Sequence, residues 1–270
     1  MSKLEVGCIG LGNMGGALVK ALSGREDTRI SGYDPDTAKV QALAQTPGFV
    51  ARSSADEVFQ TAEYVFIAVK PQLMSLVLAE ASRVLQPKTC LISIAAGIGM
   101  EQLREWTGGR CALVRVMPNT PAMVRAGVSA VCFDDPQLAG AQKLVVTELL
   151  ALLGQVHVLP EKDFHAFTAL IGSGPAYVYY IMDALVQSGV SLGLNRTQAG
   201  AMVAGLVEGA VKLASQTGLE LSALQAMVTS PAGTTIAALN HLDRNAVRGA
   251  VIDAVASAEK RSRTLGRSKG

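Results

Sequence analysis

The chain has 270 residues, 49% of them apolar and 17% charged, with a formal charge of +2. That composition suits a compact α/β protein and excludes long disorder. Near-neutral charge and 4% aromatics give neither an electrostatic nor a stacking reason to expect nucleic acid or an anionic membrane as partner.

Cys8, Cys90, Cys111 and Cys132 are scattered, with no C-x-x-C pair, and His157, His165 and His241 lack ligand spacing. No metal site is expected, and reduced, buried thiols point to a cytoplasmic protein. The N-terminus lacks a signal-peptide layout. No apolar run is read as approaching the ~20 residues that span a bilayer.

Leu4 to Leu11 is an apolar run long enough for a buried strand. Gly10-Leu11-Gly12-Asn13-Met14-Gly15 follows, and a helical pattern follows that. This is G-x-G-x-x-G between strand and helix, the context in which the pattern cradles a pyrophosphate; a plain glycine-rich βα turn is the alternative. Gly10 serves the tight turn, Gly12 the approach of backbone to phosphate, and Gly15 close helix–strand packing. Thr28 to Tyr33 is the second strand, with Asp34 at its end. An acid there can accept hydrogen bonds from the adenosine ribose and repels a 2′-phosphate, which leans the reading to NADH. Thr37 and Lys39 are placed to assist a phosphate instead.

Strand-like runs recur at Tyr64–Val69, Cys90–Ala95 and Ala112–Met117, with helical segments between them. That alternation predicts a parallel sheet covered on both faces. Val128–Phe133 and Val156–Leu159 read as two final strands around a helix over 136–153. Loops at the strand ends should ring the cofactor. Lys70 there either offsets phosphate charge or is an exposed loop lysine. Asn119, between two prolines, either orients a carboxamide or closes an Asx-type turn.

After Pro160 strands stop, and helices are expected over roughly 163–170, 175–192, 196–217, 220–228, 231–241 and 244–265. The domain boundary is therefore placed at 160: residues 1–160 bind the dinucleotide and 161–270 are helical. Ala199–Ala214 is apolar on most faces, so it is expected to be buried all round. A domain of about 110 residues has few places to bury such a helix, which points to completion by a second subunit. Gly172-Ser173-Gly174-Pro175 reads as a helix start with free N–H groups. So does Thr229-Ser230-Pro231-Ala232-Gly233-Thr234-Thr235, with Ser230 as N-cap and Pro231 as first helical residue. Either the second start seats a small anion such as a carboxylate, or it is a capped helix that binds only water.

Taken together these motifs resemble the pyrroline-5-carboxylate reductases. The resemblance is carried by G-x-G-x-M-G at Gly10–Gly15, A-V-K-P at Ala68–Pro71, I-A-A-G-I at Ile94–Ile98 and M-P-N-T-P-A at Met117–Ala122. It continues through T-A-L-x-G-S-G-P-A-Y at Thr168–Tyr177, T-S-P-A-G-T-T at Thr229–Thr235 and A-V-x-x-A-x-x-R-S-x-x-L-G at Ala254–Gly266. Departures from the family pattern are Ala232 for a common Gly, Ile171 for Ser, His165 for Asp and Gln216 for Glu; they bear on substrate breadth.

The resemblance implies an N-terminal Rossmann domain followed by an all-α dimerisation domain. It implies reduction of 1-pyrroline-5-carboxylate to L-proline by NADPH or NADH, the family habit leaning to NADPH. The cofactor would be held by Gly10, Gly12, Asn13, Met14, Gly15, Asp34, Ala68, Val69, Lys70, Pro71 and Asn119. The imino acid would be held by Glu161, Ser230, Gly233, Thr234 and Thr235, with Thr235 as the catalytic hydroxyl at the ring nitrogen. A homodimer follows by the same resemblance, extended in the family to larger rings. A reductase of another cyclic imino acid and a hydroxyacid dehydrogenase on the same plan are the alternatives. The second needs a His or Lys acid–base group, for which His165 and Lys212 are the candidates.

Overall fold

The computed structural model describes residues 3–267. Eight strands form one sheet: β1 (Leu4–Ile9), β2 (Thr28–Tyr33), β3 (Phe49–Ala51), β4 (Tyr64–Ile67), β5 (Cys90–Ser93), β6 (Ala112–Met117), β7 (Gly127–Cys132) and β8 (Gly154–Val158). The spatial order is β3-β2-β1-β4-β5-β6-β7-β8. Pairing is parallel from β3 through β6; β6 and β7 are antiparallel, and β7 and β8 are again parallel. The expected all-parallel sheet thus reverses direction for its last two strands. A short 3-10 turn at Thr120–Val124 replaces the helical crossover that a parallel continuation requires. β3 was not foreseen, because three residues are too few to show an alternation.

Helices α1 (Asn13–Leu22), α2 (Thr37–Leu43), α3 (Ala55–Thr61), α4 (Met74–Ala81), α5 (Met100–Thr107) and α6 (Gly140–Ala151) cover the sheet. Its two faces carry separate cores. Val6, Leu18, Leu22, Ile30, Phe66 and Val114 lie in one; Ile9, Phe59, Val65, Ile67, Leu103 and Leu113 lie in the other. Within β4, Phe66 goes to one core while Val65 and Ile67 go to the other. That is why the strand reads as an unbroken apolar run.

Then come α7 (Phe164–Phe167), a π-helical turn (Thr168–Gly172), α8 (Gly174–Ser191), α9 (Arg196–Thr217), α10 (Leu221–Met227), α11 (Thr234–Arg244) and α12 (Val247–Arg267). The chain divides into two compact units, one comprising residues up to Ser173 with those from Glu259 onward, the other Gly174–Ala258.

Two expectations for the helical half change. A helix does start within Gly172–Pro175, at Gly174, but not with free N–H groups throughout: a π turn leads into it, and the Ser173 N–H donates to the Thr168 carbonyl at 2.9 Å. The resulting run, Glu161–Ser191, is long and apolar enough to cross a membrane by length and composition. In sequence Gly-Ser-Gly-Pro looks like a break between helices over 163–170 and 175–192. The second change concerns α9. In the single chain only Ala199 and Val203 of α9 are buried, while Met202, Leu206 and Val211 are exposed. The helix is apolar around its circumference without being enclosed by its own chain.

Candidate active site

In the first unit the strand order reverses direction at β1, between β2 and β4, and such a switch point is where open α/β sheets bind ligands. The loops after β1 and β4 meet there. Gly10 has φ +90, and a Cβ on it would lie 2.7 Å from the Ala68 carbonyl oxygen and 3.0 Å from the Val69 nitrogen. The Ala68 N–H donates to the Ile9 carbonyl at 2.7 Å. A Cβ on Gly15 would overlap the Gly10 carbonyl oxygen, so only Gly lets α1 sit this close to β1. At Gly12, by contrast, an added Cβ would meet nothing within 4 Å. Backbone therefore faces open space at the start of α1, whose first-turn N–H groups have no intrahelical acceptor. Asn13 is exposed, Met14 half-buried, and Lys70 exposed just before the 3-10 turn that begins at Pro71.

Asp34 is buried at the end of β2. Its Oδ2 accepts the Leu11 N–H at 2.8 Å, and its Oδ1 accepts the Asp36 N–H at 2.9 Å. Lys39 Nζ stands 3.4 Å from both oxygens. Arg52 follows β3, and its N–H donates to the Gly32 carbonyl at 2.8 Å. Its Nε is buried and has no hydrogen-bond partner among the described residues. A glycine turn with room over it and an orphaned guanidinium nitrogen at the same end of the sheet fit a dinucleotide. Cys8, under the turn, is no nucleophile: burial, reinforced by the Asp34 charge, pushes its thiol up to about 12.

Asn119 is held at both ends of its carboxamide. Oδ1 accepts the Val128 N–H at 2.9 Å, and Nδ2 donates to the Ile171 carbonyl at 3.3 Å. It ties β7 to the π turn. Arg115, on β6 and four residues before Asn119, is a site residue that the sequence reading does not include. Its Nη1 meets Glu161 Oε1 at 2.7 Å, and its guanidinium lies 4.6 Å from the centre of the Phe164 ring. Glu161 Oε1 also accepts the Met100 N–H at 2.7 Å, a carboxylate on the first residue of α5. Arg115, Met117 and Asn119 alternate along one strand direction, and each touches the 161–172 segment, Met117 through Gly172. Period-2 spacing was the available signal. It was hidden because Arg115 and Glu161 are 46 positions apart.

In the second unit, the segment after α10 is organised differently from the expectation. Ser230 is not the N-cap of α11, and Pro231 is not its first residue. The Gly233 N–H donates to the Ser230 carbonyl at 3.1 Å, closing a turn over Pro231 and Ala232; Gly233 is the N-cap and Thr234 the first helical residue. Ala232 has φ +57, the left-handed region in which Gly is at ease. A Cβ on Gly233 would collide with Ser230 Oγ. The turn therefore brings the Ser230 hydroxyl to the start of α11, next to Thr234 and the half-buried Thr235. Glu161, assigned to the first unit, is placed among Arg115, Met100 and Phe164.

Two family models match: "Pyrroline-5-carboxylate reductase dimerisation" over residues 161–265 and "NADP oxidoreductase coenzyme F420-dependent" over residues 5–97. The pyrroline-5-carboxylate reductase of Escherichia coli is 36% identical over 267 residues, covering 98% of this chain and 99% of its own. That of Pisum sativum is 35% identical over 263 residues, with 96% and 95% covered. Among solved structures, a pyrroline-5-carboxylate reductase from Coxiella burnetii superposes with a TM-score of 0.90 at 30% identity, covering 97% and 98%. The Plasmodium falciparum enzyme, solved with NADP bound, gives 0.88 at 29% identity, covering 98% and 99%. The second half is thus a dimerisation domain and the chain a homodimer. The chain belongs to the pyrroline-5-carboxylate reductases, NAD(P)H-dependent oxidoreductases of proline biosynthesis.

Proposed function

We propose that the chain reduces the C=N bond of 1-pyrroline-5-carboxylate with its carboxylate on the start of α11 and its ring nitrogen at Thr235. The observation that carries this is the Ser230–Gly233 turn. It presents a serine hydroxyl, two threonines and the unpartnered first-turn N–H groups of an eleven-residue helix in one place. The reduced nicotinamide, when bound, supplies the hydride. The protein's own work is positioning, since a protonated imine is already electrophilic and a well-oriented pair can gain ~7–11 kcal/mol from placement. Gly10, Gly12, Asn13, Met14 and Gly15 would carry the pyrophosphate, with Ala68, Val69, Lys70 and Pro71 beside them. Asp34 and Asn119 act through the backbone they hold. Of Glu161, Oε1 is committed to Arg115 and α5, and Oε2 takes neither of those bonds.

We also infer that residues 161–270 work as the substrate and dimerisation domain after a nucleotide domain of 1–160. The last strand ends at Val158, and the dimerisation model begins at 161. Exposed Tyr179, Tyr180, Leu206 and Ile252 are then covered by the partner subunit rather than by lipid, which fits a cytoplasmic enzyme.

The test is steady-state kinetics of Thr235→Ala and Thr235→Ser. Thr235→Ala is expected to lower kcat by about 10- to 100-fold, the worth of a hydrogen bond to a charged group. Dinucleotide affinity should stay unchanged, and Thr235→Ser should restore most of the rate. Unchanged kinetics for Thr235→Ala would remove Thr235 from the reaction.

A further inference from the structure

Asp34 occupies the position from which a carboxylate would bind a ribose 2′-hydroxyl and turn away a 2′-phosphate. The structure gives that carboxylate other work. Both oxygens carry short bonds from backbone N–H groups, at 2.8 Å from Leu11 and 2.9 Å from Asp36. The first fixes the glycine turn to the end of β2, and the side chain is only 6% exposed. Two backbone donors and a neighbouring ammonium also offset its charge locally.

Lys39 is held quite differently. It stands 3.4 Å from both Asp34 oxygens and 3.6 Å from Asp36 Oδ2, beyond the ~2.7–2.9 Å of a tight charge-assisted bond. Its side chain is 44% exposed, and an ammonium has three donors on a flexible stem. It also lines a cleft of about 270 Å³ together with Leu11, Gly12, Asn13, Lys20 and Met123. Lys20 and Lys39 bring two ammonium groups to its lining; the Asp34 and Asp36 carboxylates stand behind Lys39 and do not line it. The cleft opens on Gly12, the half-buried glycine with free space over it, where the dinucleotide's phosphates would pass.

We infer that Lys39 is the specificity-determining residue for the cofactor: it takes the 2′-phosphate of NADPH, while Asp34 serves as a lock on the glycine turn and discriminates against neither cofactor. The inference rests on the dinucleotide reading of the first unit and reverses the lean to NADH that Asp34 suggests by position alone. A dianionic phosphate competes well for a loosely paired lysine, whereas the short backbone bonds to Asp34 remain in place.

The experiment is calorimetric titration of the purified enzyme with NADPH and with NADH, without substrate, for wild type, Lys39→Ala, Lys39→Glu and Asp34→Asn. The wild type should bind NADPH at least tenfold more tightly than NADH. Lys39→Ala should lose about 10- to 100-fold for NADPH, a charged hydrogen bond's worth. Its NADH affinity should stay within twofold, because NADH lacks the phosphate. Lys39→Glu should prefer NADH outright. Asp34→Asn should weaken both cofactors by the same factor. A Lys39→Ala variant with unchanged NADPH affinity, or one that loses both cofactors equally, would overturn the inference. So would an Asp34→Asn variant that loses NADH alone. Failure of the wild type to bind either cofactor would instead overturn the dinucleotide reading beneath it.

Discussion

Arg115 and Glu161 meet at 2.7 Å across 46 positions of sequence, and the oxygen they share also accepts the Met100 N–H. Three elements, β6, α5 and the segment leading into α7, are tied through one carboxylate. Arg115 is 7% exposed and Glu161 34%. Removing the acid leaves a buried guanidinium over Phe164 with no counter-charge. Glu161→Ala should cost about 1–3 kcal/mol, less than the ~3–5 of a fully buried pair because Glu161 reaches water. Glu161→Gln keeps an acceptor for Met100 and should cost less. Urea unfolding of the three proteins compares them; equal midpoints for all would show that the pair contributes nothing.

The turn before α11 stores strain at one residue. Ala232 sits at φ +57, which costs an L-residue roughly 1–2 kcal/mol. Gly relieves that penalty but returns ~0.4–1 kcal/mol of unfolded-state entropy. Ala232→Gly should therefore stabilise by about 0.5–1 kcal/mol and leave kcat near that of the wild type. Gly233→Ala does the opposite, because its Cβ would run into Ser230 Oγ. It should raise KM for the imino acid several-fold while dinucleotide affinity holds. A rise in cofactor Kd instead would separate this turn from the substrate.

His165 gives the fold a pH dependence. Burial holds its imidazole below the ordinary value of 6.5, helped by the charges of Arg115 and Arg263 and opposed by Glu259 and Glu161. Its Nδ1 lies 3.0 Å from the Ser262 hydroxyl. As pH falls through 6.5 the unfolded chain takes up the proton before the folded one does, so stability drops until the lower folded value is passed. His165→Asn should flatten the change in urea midpoint between pH 7.5 and pH 5.5. An identical slope in wild type and variant would assign the dependence to other groups.

Much of this was legible in sequence, for identifiable reasons. β2 and β6 fall within the bounds that their apolar runs mark, and α9 follows its expected span, ended by Gly218 at φ +64. The glycine turn is local chemistry, so spacing and context suffice. What stayed hidden was non-local or went against a local signal. Arg115 is a cation inside an apolar strand, explained only by partners far along the chain. Asn119 reads in sequence as orienting a carboxamide or closing an Asx-type turn, and its ties to Val128 and to the Ile171 carbonyl, 52 positions on, leave no local trace. Ser-Pro looked like a helix start, yet Pro231 and Ala232 form a turn that delays α11 to Thr234.

The helical half offers a test that needs no mutation. Unit Gly174–Ala258 leaves Tyr180, Leu192, Leu206 and Met227 widely exposed in a single chain, and the family's dimerisation region spans them. Light scattering behind size-exclusion chromatography at micromolar concentration should give a mass of at least two chains. A clean monomer would leave these faces without their expected cover.

The most direct measurement follows NADPH and NADH oxidation by absorbance with purified enzyme and a panel of 1-pyrroline-5-carboxylate, a six-membered cyclic imino acid and a 3-hydroxyacid, the last run with oxidised cofactor. Rapid oxidation with 1-pyrroline-5-carboxylate is expected, with one proline formed per cofactor consumed and no reduction of cofactor by the hydroxyacid. Turnover of the six-membered imine or of the hydroxyacid, with none of 1-pyrroline-5-carboxylate, would contradict this expectation.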